Sequence, residues 1–178
     1  MPTDNTTENN EPQIHRGLNG IYFDRSASSY IDGRNGTLLY RGYSIHDLAS
    51  YSTFEEVSYL LLYGELPNES EFSNFKSLLT SSRELPAPIV EIIQGLTAAH
   101  PMDVLRTAVS ALAAFDPETN DNSYDATIRK GIRLTAQIPM LIAIHHRLRN
   151  NMPLVKPDPN LSHTANFLYM LQGEKPSA

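Results

Sequence analysis

The side chains with the widest chemical range in this 178-residue sequence are its six histidines. An imidazole can hold a metal, carry a proton or cap a helix. His145 and His146 are adjacent, so on a helix they point about 100° apart and cannot share an ion as an i, i+4 pair would. With His163 they would make a metal set only if another ligand completed it. The sequence has no cysteine and no carboxylate spaced to do so, so no metal site is assigned. The pair reads instead as one buried and one exposed histidine near a helix end. His100 stands just before Pro101. It is placed to cap the helix that the proline opens, in preference to lying near a nucleotide pocket. His163 reads as a packing residue, because no base or nucleophile accompanies it.

The cations come next. Arg41 suits a phosphate or a carboxylate, or equally an ion pair that fixes nearby strands. Arg129, Lys130 and Arg133 form a basic stripe. A contact to the phosphate of an anionic ligand is one reading, and a solvated helix face is the usual one. Gly33, Gly36, Gly42 and Gly64 have no phosphate-cradling spacing and read as turns and helix stops. Acid–base chemistry at a carbonyl needs a base, a donor for the developing oxyanion and a clamp for the substrate. No set here supplies all three, so no catalytic residue is assigned and no cofactor-binding residue is identified.

The elements that position these groups are mostly helices. Thr53 with Glu56, and Asn68 with Glu71, have the capping-box spacing ahead of apolar residues at helical intervals. Ser44, Ser123 and Ser162 are further caps, and Gly64 and Gly173 are natural stops. Helices are expected over 101–115 and 123–149. Alanine-rich composition suits the first to close packing, with Met102, Leu105, Val109 and Leu112 along one face. Pro139 is expected to bend or break the second near Ile138. Gly20–Phe23 and Thr37–Tyr40 are expected to pair as a β-ribbon around the turn Asp32–Gly36. Residues 1–12 are polar with no apolar run, and 1–16 read as a disordered tail, with 17–178 as the folded part. The formal net charge is −6, which gives no electrostatic reason to bind nucleic acid or an anionic membrane. No apolar run reaches membrane-spanning length, and a cytoplasmic location is expected. The fold class is therefore all-α with a short β-ribbon near its start.

Five strings, in order, resemble the citrate synthase family. They are Ile31-Asp32-Gly33 with Leu39-Tyr40-Arg41-Gly42-Tyr43-Ser44-Ile45, then STFEEVSYLLLYGELP from Ser52, AHPMDVLRTAVSALAAFDPE from Ala99, IRKGIRLTAQIPMLIAIHHRLR from Ile128, and LSHTANFLYMLQGEKPS from Leu161. The resemblance implies the amino-terminal part of the family's large helical domain. It implies an enzyme family that condenses acetyl-CoA with oxaloacetate to citrate and CoA at the entry to the tricarboxylic acid cycle. Close relatives use propionyl-CoA and make 2-methylcitrate. No metal or prosthetic group is implied, acetyl-CoA being a substrate. The family's aspartate base, its two histidines and its substrate-holding arginines come from the later half of its chains. Its His-Gly-Gly-type and Gly-His-x-x-Tyr-type loops do not occur here, so this chain alone is expected to be inactive. The family works as a dimer. The resemblance implies self-association through helices 101–115 and 123–149, or their coverage by a carboxy-terminal half. The alternative is a naturally short, non-catalytic relative that acts as a dimerisation or regulatory partner.

Overall fold

The computed structural model describes residues 16–18, 20–22 and 24–177. The expected tail 1–16 lies outside the described residues, save for Arg16. After a 3-10 turn at Arg16–Leu18 comes a three-stranded antiparallel sheet in the order β1 (Ser29–Asp32), β2 (Thr37–Tyr40), β3 (Tyr43–Ser44). Ser29 faces Tyr40 and Asp32 faces Thr37 across the first pair.

This corrects the expected ribbon. Gly20, Ile21 and Tyr22 form no strand, and Phe23 lies outside the described residues. The reason is local. Asp32 Oδ1 accepts from the amides of Arg34 and Asn35, and Oδ2 from the Asn35 side chain. The closed turn therefore pairs the residues that flank it directly. β3 follows a two-residue connection in which Arg41 has φ 49° and Gly42 φ 91°. Both central residues are left-handed, as the twist-matched hairpin turn requires.

Seven helices follow: α1 (Ile45–Tyr51), α2 (Phe54–Tyr63), α3 (Glu69–Ser81), α4 (Ala87–Gly95), α5 (Pro101–Leu112), α6 (Tyr124–Arg149) and α7 (His163–Gln172). Their starts follow the expected chemistry. Ser44, Ser123 and Ser162 each accept a first-turn amide. Both capping boxes close, with Thr53 bonded to Glu56 and Asn68 to Glu71 in each direction. Gly64 and Gly173 end α2 and α7 in left-handed conformations. A single 3-10 turn, Ala113–Phe115, extends α5.

Pro139 does not break α6, which runs unbroken through it. The missing amide costs one hydrogen bond, and packing on both sides holds the rest of the helix. Met140, Leu141, Ala143 and Ile144 are buried. They pack with Ile89 and Ile93 of α4, with Val104, Ala108 and Leu112 of α5, and with Met170 of α7 in the main core. A second cluster joins Phe75 and Leu79 of α3 to Ile132 and Ala136 of α6. Leu62 of α2 approaches α6 so closely that a Cβ on Gly131 would stand 3.1 Å from it. The helix α6 is thus the spine against which α2, α3, α4, α5 and α7 are arranged.

Candidate functional site

The basic stripe opens α6 and faces the loop that joins it to α5. Arg133 binds Asp116 through Nε and Nη2, at 2.9 and 2.8 Å, and reaches Glu118 at 2.9 Å. Arg129 binds the other oxygen of Glu118, and Lys130 donates to the Asp121 carbonyl. Hydrogen bonds from Arg129, and then from Arg133, lower the Glu118 carboxyl to about 2. Arg129 remains exposed, and Lys130 and Arg133 are half-buried. The stripe is not a simply solvated face, and its guanidiniums already have carboxylate partners. They clamp the α5–α6 loop.

His100 caps α5, its Nδ1 accepting from the Met102 amide at 3.2 Å. Arg41 forms no ion pair among the described residues; its Nη2 donates to the Leu61 carbonyl at 3.0 Å and ties the sheet to α2. His145 is buried and His146 exposed. Among the described residues no three His, Cys, Asp or Glu side chains come together as a metal set.

A buried polar junction surrounds the start of α7. Glu55, in the first turn of α2, accepts the His163 backbone amide at 2.8 Å. Its carboxylate therefore serves the positive ends of two helices at once. The Phe54 ring stacks on the His163 ring, with centroids 4.5 Å apart and an angle of 3°. Neither ring nitrogen of His163 has a partner among the described residues. Burial, and then the Arg83 charge, lower its pKa, while Glu55 opposes them, so its neutral form is favoured. Arg83 is buried and donates to the carbonyls of Asp158 and Leu161 at 2.9 and 3.0 Å. Asn166 is fully buried and accepts the Asp158 amide at 2.8 Å. Arg147, also buried, donates to the carbonyls of Pro153 and Leu171. Sequence reasoning missed Glu55, Arg83, Arg147 and Asn166. Glu55 sits in the first turn of α2, where an acidic side chain usually faces water, and Arg83 follows a helix end. Arg147 falls at helical spacing from Met140, Ala143 and Ile144, and Asn166 lies four residues before Met170, so the periodicity carries a signal for these two that their polar side chains mask.

The α5–α6 face differs from expectation in one respect. Val104, Ala108 and Leu112 form the buried stripe of α5, with Leu112 only 6% exposed. Met102 stands out at 62%, and Leu105 and Val109 are half-buried. Ala108 is small enough to bring the helices together at that position, which turns the core face toward 104, 108 and 112. On α6, Leu134 and Ile142 remain exposed at 36% and 39%. An apolar strip of modest width is left along the two helices, interrupted by a cleft of about 250 Å³ beside Val109, Phe115 and Leu134. Among the described residues no helix is long and apolar enough to cross a membrane.

Comparison with known proteins places this architecture. The family model described as citrate synthase, C-terminal domain, matches residues 17–178. A citrate synthase of Haloferax volcanii is 39% identical over 170 residues, covering 93% of this chain and 45% of that protein. A 2-methylcitrate synthase of Corynebacterium glutamicum is also 39% identical, over 92% of this chain and 43% of its own length. The crystal structure of citrate synthase from Pyrobaculum aerophilum superposes with a TM-score of 0.88 at 38% identity, again over 92% of this chain and 43% of that one. The chain thus spans less than half the length of the relatives it matches, and it belongs to the citrate synthase family.

Proposed function

We propose that this chain is the amino-terminal portion of a citrate synthase, an acyltransferase that condenses acetyl-CoA with oxaloacetate to citrate and CoA in the cytoplasm. The observation that carries the reading is coverage. Nearly the whole chain aligns with citrate synthases, yet it accounts for only 43% of the Pyrobaculum chain. Consistent with this, Arg129 and Arg133 are committed to the α5–α6 loop clamp and His100 to a helix cap. They are not gathered around a cleft with a base and an oxyanion donor. The chain serves as scaffold, and the rest of the enzyme supplies the reacting groups.

Thiol release with acetyl-CoA and oxaloacetate tests this. The purified chain alone is expected to show no turnover. Turnover dependent on both substrates, and persisting after removal of any full-length enzyme, would overturn it. Sequencing the gene past the Ala178 codon separates the runner-up. A continuing frame with the two histidine loops supports a portion of an enzyme, whereas a stop codon in an intact gene supports a short, non-catalytic partner. The 39% identity to a 2-methylcitrate synthase favours running propionyl-CoA beside acetyl-CoA in any assay of the complete protein.

The same reading assigns α5 and α6 to a twofold contact with a second copy. The exposed strip of Met102, Phe115, Leu134 and Ile142 supports it, because an isologous contact buries both copies of one patch at once. Leu112 belongs to the intramolecular core and is no probe of that contact. Met102→Glu with Ile142→Glu is expected to turn a discrete dimer into a helical monomer by light scattering. A concentration-independent monomer for the unmodified chain sinks the contact. Aggregation without fixed stoichiometry points instead to coverage by a carboxy-terminal half.

A further inference from the structure

A cleft of about 620 Å³ lies between the α3–α4 turn and the connector 150–162. Its floor is Val90 of α4, Met140 and Ile144 of α6 and Met170 of α7. Three of these belong to the main core and Val90 packs against it, so the core opens to the surface here. Leu154 stands at the lip and is 46% exposed. None of Met102, Phe115, Leu134 and Ile142 lines the cleft, so it is a separate surface from the strip along α5 and α6.

The walls decide what kind of occupant fits. The rim charges, Glu84 and Lys156, are exposed and opposite in sign, so a small ion of either charge meets one attraction and one repulsion. Arg83 borders the cleft but gives its guanidinium to the carbonyls of Asp158 and Leu161. A small-molecule site needs convergent polar groups to fix its ligand, whereas an apolar floor at the edge of a core suits packed side chains. Two observations select whose side chains these are. The chain spans 45% of the Haloferax protein and 43% of the Pyrobaculum chain, which leaves more than half of such an enzyme to be packed somewhere. Gly173 turns the chain at the end of α7 with φ 93°, and Lys175 Nζ then meets Asp158 Oδ2 at 2.6 Å. Asp158 directly follows Pro157, a wall of the cleft. A segment that continues from there is tethered beside the cleft, and the entropy of closing such a loop grows only slowly with its length. A second copy would give up translational and rotational freedom for the same contact.

We propose that this cleft is where an apolar segment of the enzyme's carboxy-terminal portion packs, closing the main core over Val90, Ile144, Leu154 and Met170. The inference rests on the reading of the chain as an amino-terminal portion. It assigns that portion's apolar contact to the connector side of α6 and leaves the α5–α6 strip to the second copy.

The sequence has no cysteine, so Leu154→Cys puts one thiol at the lip. Its alkylation by iodoacetamide is followed by mass spectrometry on the peptide that holds position 154, relative to the rate in concentrated urea. The comparison is between the chain alone and the complete protein made from the gene read past the Ala178 codon. In the chain alone the thiol is expected to react near the unfolded rate at every protein concentration. In the complete protein it is expected to react at least about tenfold more slowly, because it is reached only when the packed segment opens. Leu154→Glu is the second variant. It is expected to lower the urea midpoint of the complete protein and to leave that of the chain alone unchanged, since the side chain there already meets water. Equal reactivity in the two proteins overturns the proposal, and so does an equal effect of Leu154→Glu on both. Protection that grows with the concentration of the chain alone seats a second copy in the cleft and also overturns it. A stop codon directly after Ala178 is a different failure, read from the gene, which removes the portion itself and the occupant with it.

Discussion

Two groups of cations in this chain are used in opposite ways. At the start of α6, Arg129 and Arg133 are partly exposed and paired with the carboxylates of Asp116 and Glu118. At the far end of the helix Arg147, and after α3 Arg83, are buried and spend their guanidiniums on backbone carbonyls. The first arrangement holds a loop that would otherwise move freely. The second holds the connector 150–162 and both ends of α7, a stretch rich in proline that forms no ladder of its own. An exposed ion pair gains little net free energy, because water screens it and solvates both ions well when they are apart. A buried guanidinium facing carbonyls is different, since removing it strands acceptors in a place water does not easily reach. The stabilising weight should therefore lie with the arginines that sequence inspection ignored.

The largest expected effect follows directly. Arg147→Ala removes the donors to Pro153 and Leu171. It also removes the guanidinium against which a Cβ on Gly173 would press at 3.1 Å. A loss of about 3 kcal/mol is expected in urea denaturation, the sum of two stranded acceptors and a small void. Arg147→Lys should recover only part of it, since one ammonium cannot copy the fork that reaches two separate carbonyls. A loss under about 1 kcal/mol would mean that water replaces the arginine and that the contrast between the two groups is false.

The histidine of the buried junction supplies the next effect, through pH. His163 has a folded pKa below its ordinary value of 6.5. A base whose folded pKa is depressed stabilises the fold fully above the unfolded value. That contribution is lost as pH falls from about 6.5 toward the folded value, at no more than about 1.4 kcal/mol per pH unit. The urea midpoint should therefore fall between pH 7 and pH 5. His163→Phe preserves the stack on Phe54 and discards both unpartnered nitrogens. It should flatten this limb without lowering stability at pH 8. Some slope remains from His145, which burial depresses in the same direction. An unchanged slope in the variant would show that His163 gains a proton without cost.

What was legible in the sequence is what local chemistry decides. The caps at Ser44, Thr53, Asn68, Ser123 and Ser162 and the stops at Gly64 and Gly173 appear where the side chains imply, because each motif satisfies backbone groups within four residues of itself. His100 as a cap and the split of His145 from His146 follow from the same short range. The failures are tertiary. Composition points to Gly20–Phe23 for the first strand, whereas the Asp32 turn selects its own neighbours. Pro139 is expected to bend or break α6, and packing on both sides of it keeps the helix continuous despite the lost hydrogen bond. The basic stripe reads as solvated because its acids lie 11 to 17 residues away in sequence. For the buried junction, Glu55 and His163 are 108 residues apart, and nothing in either neighbourhood announces the other.

The smallest effect belongs to the exposed clamp, and its direction is fixed by Glu118. This carboxyl lies near 2 in the folded chain against an ordinary 4.5, because Arg129 and Arg133 hydrogen-bond its charged form. An acid with a depressed folded pKa contributes stability that is present above the unfolded value. It is lost as pH falls from about 4.5 through about 2. Glu118→Gln should therefore melt slightly below the unmodified chain at pH 7, and the two melting curves should converge as pH approaches 2. Added salt should shrink the difference at pH 7, since the pair is reached by solvent and its field is screened within about 10 Å at 0.1 M. Thermal melts from pH 2 to pH 7 at low and high salt measure all of this. A gap between the two proteins that stays constant with pH and salt would assign the role of Glu118 to packing. The distinction between an electrostatic clamp on one end of α6 and a hydrogen-bonded staple on the other would then fail.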